Sequence, residues 1–282
     1  YNPRAALGRM VAEPCAWALC EGGGKMRRVV LGKTGLQVSR LGIGTDVLGD
    51  DPDGIERETE VLLSAWSLGI NLIDTDRWYR TYPTIARALP HMRRTDVVLI
   101  TKTYEKSVEG ALNDVCYALD TMKCDYIDVF LLHAIDSVEQ YAGVAGALEG
   151  LQTARERGWI HHIGLSSHAV PMVQEVSRYA EIEVVLAALN SAGKSMHKTG
   201  TRAEMEQGLE HCHAAGQGVY IMKPFARGRL IDDEAKDGQL ASDQVEPALA
   251  YLYALPFVDA VIPGMRTVQQ VQQCAEIVER IG

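Results

Sequence analysis

The chain has 282 residues, 47% apolar and 23% charged, with a formal net charge of −9. That composition is ordinary for a globular domain and excludes a disordered tail, a collagen or a low-complexity linker. The acidic balance argues against a nucleic-acid partner, which needs a positive field. No apolar run reaches the 18 residues of a transmembrane helix, which argues against a membrane partner.

Residues 1–25 read as a mobile extension, opening on Tyr1 and closing on Gly22-Gly23-Gly24. Met26 is a natural start, and 26–282 reads as one domain. Residues 28–31 and 36–38 flank Gly32-Lys33-Thr34-Gly35 and predict a β-hairpin. Eight short apolar runs follow, at 41–45, 71–75, 97–103, 126–133, 161–167, 183–190, 218–225 and 258–263. Between them lie amphipathic stretches. In 107–122, for example, Val108, Ala111, Leu112, Val115, Ala118 and Leu119 recur at helical spacing. Near-continuous apolar strands alternating with helices mean a parallel sheet covered on its outside. Eight such units predict a (β/α)8 TIM barrel preceded by the hairpin. The competitor is an open doubly wound sheet. There, Gly42-Ile43-Gly44 is followed by Val47 where the dinucleotide fingerprint needs glycine.

The six cysteines form no CxxC pair and read as reduced thiols of a cytoplasmic protein. His211 and His213 point apart on a helix, so no metal is expected. Residues 188–195 fit a relaxed phosphate-loop pattern, but 196–200 reads as loop where a helix should start, which marks a decoy. Asp232-Asp233-Glu234 reads as a solvated face.

In such a barrel the active site lies at the C-terminal strand ends. Asp74 ends the second run, Lys102 the third and His133 the fourth, and the loop after the second carries Trp78 and Tyr79. A buried Lys102 needs a counter-charge, which Asp74 can supply. The ammonium in turn favours an ionised phenol, which predicts a lowered pKa for Tyr79 and a usable proton donor at neutral pH.

These residues carry a resemblance. The sequence resembles the aldo-keto reductase family, in order, over about 27–279. The matching stretches are 32–39 at the hairpin, Asp74 with Tyr79 five residues on, Thr101-Lys102, and Asp125 through His133. Further along are Gly158-Trp159-Ile160, 163–168, Lys223-Pro224-Phe225 and Val261-Ile262-Pro263-Gly264. The resemblance implies an NAD(P)H-dependent oxidoreductase that reduces an aldehyde or ketone, or runs the reverse, on a small-molecule carbonyl or alcohol. It places the catalytic tetrad on Asp74, Tyr79, Lys102 and His133. Tyr79 would donate the proton and His133 would orient the carbonyl. Cofactor contacts would come from Gly44, Thr45, Asp74, Ser166, Ser167, Met222, Lys223, Pro224, Arg227, Gly264, Arg266 and Gln270. Asp46, Trp78 and Tyr104 would line the substrate pocket, with the acidic loop of Asp46, Asp50 and Asp51 disfavouring anionic substrates.

The sequence departs from the family pattern at Ser167 (usually Asn), Leu186 (usually Gln), Met222 (usually a stacking Tyr) and Gln270 (often Arg). Arg266 remains as the cation for an adenosine 2′-phosphate, which places NADP(H) ahead of NAD(H). Met222-Lys223-Pro224 resembles a bacterial branch whose members often append an iron–sulfur module. No cysteine here matches that module's spacing. Two alternatives stay open: a catalytically weak NADP-binding regulatory barrel subunit, and a truncated or decayed reductase whose short C-terminus leaves the pocket open. The oligomeric state is not readable.

Overall fold

The structure, a computed structural model, describes residues 26–49, 54–196, 199–231, 238–240 and 243–282. The expected extension 1–25, Asp50, Asp51, Asp232, Asp233 and Glu234 lie outside these residues.

β1 (Arg28–Val30) and β2 (Gln37–Ser39) pair as the antiparallel hairpin. Eight further strands form one parallel sheet, each beside its predecessor. They are β3 (Ile43–Gly44), β4 (Leu72–Asp74), β5 (Val98–Thr103), β6 (Ile127–Leu132), β7 (Ile160–Ser167), β8 (Val184–Ala188), β9 (Gly218–Met222) and β10 (Ala260–Ile262). Parallel bridges Leu41–Val261 and Gly44–Gly264 join the first strand to the last, which closes the barrel. The helices are α1 (Ile55–Ser67), α2 (Tyr82–Ala88), α3 (Val108–Met122), α4 (Val138–Ala142), α5 (Ala145–Glu156), α6 (Val170–Val176), α7 (Arg202–Ala214), α8 (Val245–Tyr253) and α9 (Val268–Ile281). The chain is therefore a (β/α)8 barrel with an N-terminal hairpin. Among the described residues no helix is long and apolar enough to cross a membrane.

The stripe expected in 107–122 holds. Ser107 caps α3 by accepting the Gly110 amide, and Ala111, Val115 and Ala118 are buried. The 190–196 segment is a tight turn, with Asn190 accepting the Lys194 amide at 3.0 Å, and α7 starts only at Arg202. The phosphate-loop pattern therefore leads into no helix.

Side chains alternate along each strand. Leu72, Val98, Ile100, Val129, Leu131, Val184, Leu186, Tyr220, Ala260 and Ile262 fill the barrel. Their neighbours Ile73, Leu99, Phe130, Leu132, Val185, Ile221 and Val261 belong to the outer core shared with the helices. Continuing the inner parity toward the C-terminal ends gives Asp74, Lys102, His133 and Met222. The same alternation that packs the core thus aims the polar residues.

The hairpin plugs the opposite end. Leu31 and Val38 join the inner cluster. Gly32 adopts φ +51°, and a Cβ there would stand 2.2 Å from the Gly218 nitrogen, so only glycine lets the turn dock. Asn71 ties the plug to the barrel: it accepts the Ser39 amide at 2.7 Å and donates to the Gln37 and Asp96 carbonyls, each at 2.8 Å.

Candidate active site

The C-terminal strand ends enclose a cavity of about 570 Å³, the size of a small-molecule site. Asp74, Tyr79, Tyr104, His133 and Asp46 reach it from one side. The end of β9 supplies Met222 and the loop after it Lys223, Pro224 and Arg227, and the barrel seam supplies Gly44, Gly264, Arg266 and Gln270.

A buried charge pair lies at the centre. Lys102 Nζ donates to Asp74 Oδ1 at 2.6 Å and to the Thr75 carbonyl at 2.7 Å. The other Asp74 oxygen accepts from the Tyr220 hydroxyl at 2.8 Å. Burial pushes the Asp74 carboxyl pKa upward, while Lys102 and the hydrogen bonds from Lys102 and Tyr220 oppose it. The Lys102 ammonium lies 5.1 Å from the centre of the Tyr79 ring.

Tyr79 behaves opposite to the expected direction. Its pKa is raised, first by burial and then by Asp74, Asp46 and Asp76. The ammonium is engaged by Asp74 and Thr75, and carboxylates outnumber it around the phenol. A group raised in this way holds its proton throughout the neutral range, so it remains a donor.

Tyr79 sits on a short 3-10 turn, Arg77–Tyr79, between β4 and α2. Asp76 caps that turn, with Oδ1 accepting the Trp78 amide at 2.7 Å. Asp76 Oδ2 lies 2.7 Å from His133 Nδ1. Tyr104 stacks on the His133 ring, with centroids 4.1 Å apart, and its hydroxyl lies 3.3 Å from Nε2. Burial lowers the His133 pKa, with the Asp76 hydrogen bond opposing and the Lys102 charge adding to the effect.

On the opposite wall, Lys223 Nζ bonds His168 Nε2. Asp136 Oδ1 accepts the His168 amide at 2.8 Å and the Ser167 hydroxyl at 3.1 Å. Burial beside Arg227 lowers the Lys223 pKa to about 8. Lys223, Ala226 and Arg227 all adopt positive φ, at 60°, 52° and 61°. Non-glycine residues in that region carry strain, which concentrates at ligand sites. Lys223, Arg227 and Arg266 offer three cations for phosphate oxygens, and Leu186 and Met222 give the cavity an apolar wall. This donor set fits a phosphate-bearing dinucleotide.

Several expected contacts are placed elsewhere. Thr45 is buried and its hydroxyl meets that of Thr81 at 2.9 Å, in a chain that runs on to Thr75. Ser166 Oγ accepts the Ala134 amide at 2.9 Å. Ser167 has the outward parity of β7 and bonds Asp136. Gln270 touches the cavity, but its side-chain oxygen accepts the Arg266 amide at 2.7 Å. Trp78 is 70% exposed and does not line the cavity. Asp76, Tyr220 and Asp136 are not singled out by the sequence pattern, and His168 stands out there only as the end of the 163–168 stretch. Asp76 could have been found as a second acid on the Tyr79 turn.

A model of the Aldo/keto reductase family matches residues 40–248. The chain belongs to the aldo/keto reductase family. It is 24% identical to the NADH-specific methylglyoxal reductase of Escherichia coli, over 75% of this chain and 71% of that protein. It is 23% identical to the L-galactose dehydrogenase of Arabidopsis thaliana, over 88% and 87% of the two chains. The holo form of aldo-keto reductase AKR11C1 from Bacillus halodurans superposes with a TM-score of 0.73 at 23% identity, covering 90% of this chain and 91% of that one. The thermostable aldo-keto reductase Tm1743, solved with the inhibitor epalrestat, gives 0.72 at 23% identity, covering 90% and 94%. At such identities the structural likeness is one of fold. Aldo/keto reductases are oxidoreductases that use NADP(H) or NAD(H) to reduce carbonyl groups.

Proposed function

We propose that this aldo/keto reductase reduces an aldehyde or ketone to the alcohol, or runs the reverse, with Tyr79 as the proton donor and NADP(H) preferred to NAD(H). One observation carries the reading: Tyr79 and His133 open onto one cavity, and the Lys102–Asp74 pair is buried behind them. When bound, the nicotinamide supplies the hydride. Tyr79, kept protonated by burial and its three acidic neighbours, holds the proton at Oη for the carbonyl oxygen. Lys102 neutralises Asp74 and keeps that carboxylate from accepting the phenol proton. Lys223, Arg227 and Arg266 would hold the cofactor's phosphates, and Arg266 at the seam supports the 2′-phosphate form.

A second reading, a barrel that binds NADP without turning over, is favoured by Leu186 and Met222 on the cavity wall, where neither offers a strong hydrogen bond. Titration with NADPH and NADH, followed by a carbonyl screen with Tyr79→Phe as control, separates the two. Saturable binding with Tyr79-dependent consumption supports the reductase. Binding without consumption supports the regulatory barrel.

A further inference from the structure

Tyr220 is fully buried in the barrel interior and is not among the residues that line the cavity. It sits on β9, and β10 and β3 separate that strand from β4 around the closed barrel. Its ring therefore reaches across the interior to place the hydroxyl 2.8 Å from Asp74 Oδ2. The ring packs in one cluster with Leu186, Ala260 and Ile262, apolar surroundings in which a hydroxyl is costly without a partner. Burial and the Asp74 charge keep the phenol protonated, so Tyr220 donates and Asp74 accepts.

The two oxygens of Asp74 thus have separate donors, Lys102 Nζ on Oδ1 and Tyr220 on Oδ2. Among the described residues, the titratable groups facing this carboxylate are Lys102 from β5, Tyr220 from β9, His133 just past β6 and Tyr79 from the 3-10 turn. Lys102, Tyr220 and His133 favour the ionised form, and burial opposes them. Lys102 engages one oxygen only. Without Tyr220, Oδ2 would lose its donor in a nearly sealed site and become a stronger base beside the Tyr79 phenol.

We propose that Tyr220 is a positioning residue that completes the hold on Asp74, keeps that carboxylate ionised and paired with Lys102, and so reserves the Tyr79 proton for the carbonyl oxygen. In the step it serves, the O–H bond of Tyr79 breaks and a new O–H bond forms on the carbonyl oxygen as the carbonyl carbon takes the hydride. Tyr220 keeps its own proton throughout. An Asp74 oxygen without a donor competes for the Tyr79 proton, and an Asp74 that has gained a proton releases Lys102. This consequence rests on the reductase reading above; the hydrogen bond between Tyr220 and Asp74 does not.

The test uses Tyr220→Phe in the full chain and reads two pH dependences. Carboxyl-carbon NMR of aspartate-labelled protein, with the Asp74 signal assigned by Asp74→Asn, follows ionisation directly. Loss of a hydrogen bond to the charged form should raise the Asp74 midpoint by about one to two pH units. NADPH consumption with propanal should show the acid limb of kcat moving up by the same amount, with NADPH affinity unchanged. A merely structural Tyr220 would lower stability or kcat at every pH and leave both midpoints in place. A 3-fluorotyrosine placed at position 220 keeps the ring and donates more strongly, so both midpoints should move down; this variant decides the matter if Tyr220→Phe does not fold. Equal Asp74 midpoints in wild type and variant overturn the proposal, and so does a shifted carboxyl midpoint with an unmoved acid limb. If wild type consumes no NADPH while the carboxyl midpoint still shifts, the reductase reading fails and the hold of Tyr220 on Asp74 stands.

Discussion

Lys102 Nζ stands 2.6 Å from Asp74 Oδ1, with both side chains almost sealed from solvent at 1% and 4% exposure. As a unit, such a pair adds little to stability, but losing one partner strands a charge in a low-dielectric site. Lys102→Met should therefore cost about 3–5 kcal/mol by urea unfolding. Asp74→Asn added to it should recover part of the loss. Equal stability of the single and double variants would show that the pair is not coupled.

Lys223 makes stability depend on alkaline pH. Its folded pKa, lowered to about 8, lies below the usual 10.5. Between those values the unfolded chain holds a proton that the folded chain has released, so stability rises with pH across that window. The cost of burying the ammonium is fully felt below about pH 8. Lys223→Met should melt higher than wild type at pH 7, and the difference should shrink toward pH 10. A difference independent of pH would place the Lys223 amine in solvent-like surroundings.

Gly164 faces the barrel interior on β7. A Cβ there would lie 2.4 Å from the Val184 carbonyl oxygen and 2.5 Å from Leu131 Cδ2. Neither neighbour can yield without moving a strand or the packed core. Gly164→Ala should cost about 1–3 kcal/mol, measured by thermal unfolding.

Asp46 is the one acid of the predicted acidic loop among the described residues, and it lines the cavity. Asp46→Asn should raise kcat/KM for a carboxylated aldehyde relative to its neutral counterpart by up to about fivefold, as befits an exposed charge. An unchanged ratio would place the substrate's carboxylate away from this loop.

The sequence made the barrel legible because buried strands read as apolar runs, and eight of them recur between helical stripes. The same runs exposed Asp74, Lys102 and His133, since a charged residue ending an apolar strand stands out. Other features need three dimensions. Tyr220 reads as one more apolar residue of a strand, and only the barrel's closure brings its hydroxyl to Asp74. Asp76 reads as a loop acid until the 3-10 turn folds it toward His133. Ser167 is a cofactor contact by resemblance, yet strand parity turns it outward. The direction of the Tyr79 shift is hidden in the sequence for a related reason. The sequence shows one lysine bearing on the phenol, while burial and three carboxylates, one of them, Asp46, distant in the chain, act together.

The most direct test of the central claim is single-turnover consumption of NADPH with a small aldehyde, comparing wild type with Tyr79→Phe, after cofactor affinity has been measured for both. The account predicts equal affinity and a rate about 10² to 10⁴ lower without the phenol hydroxyl. Equal rates in the two proteins would show that the proton comes from another group and would contradict the assignment of Tyr79 as donor.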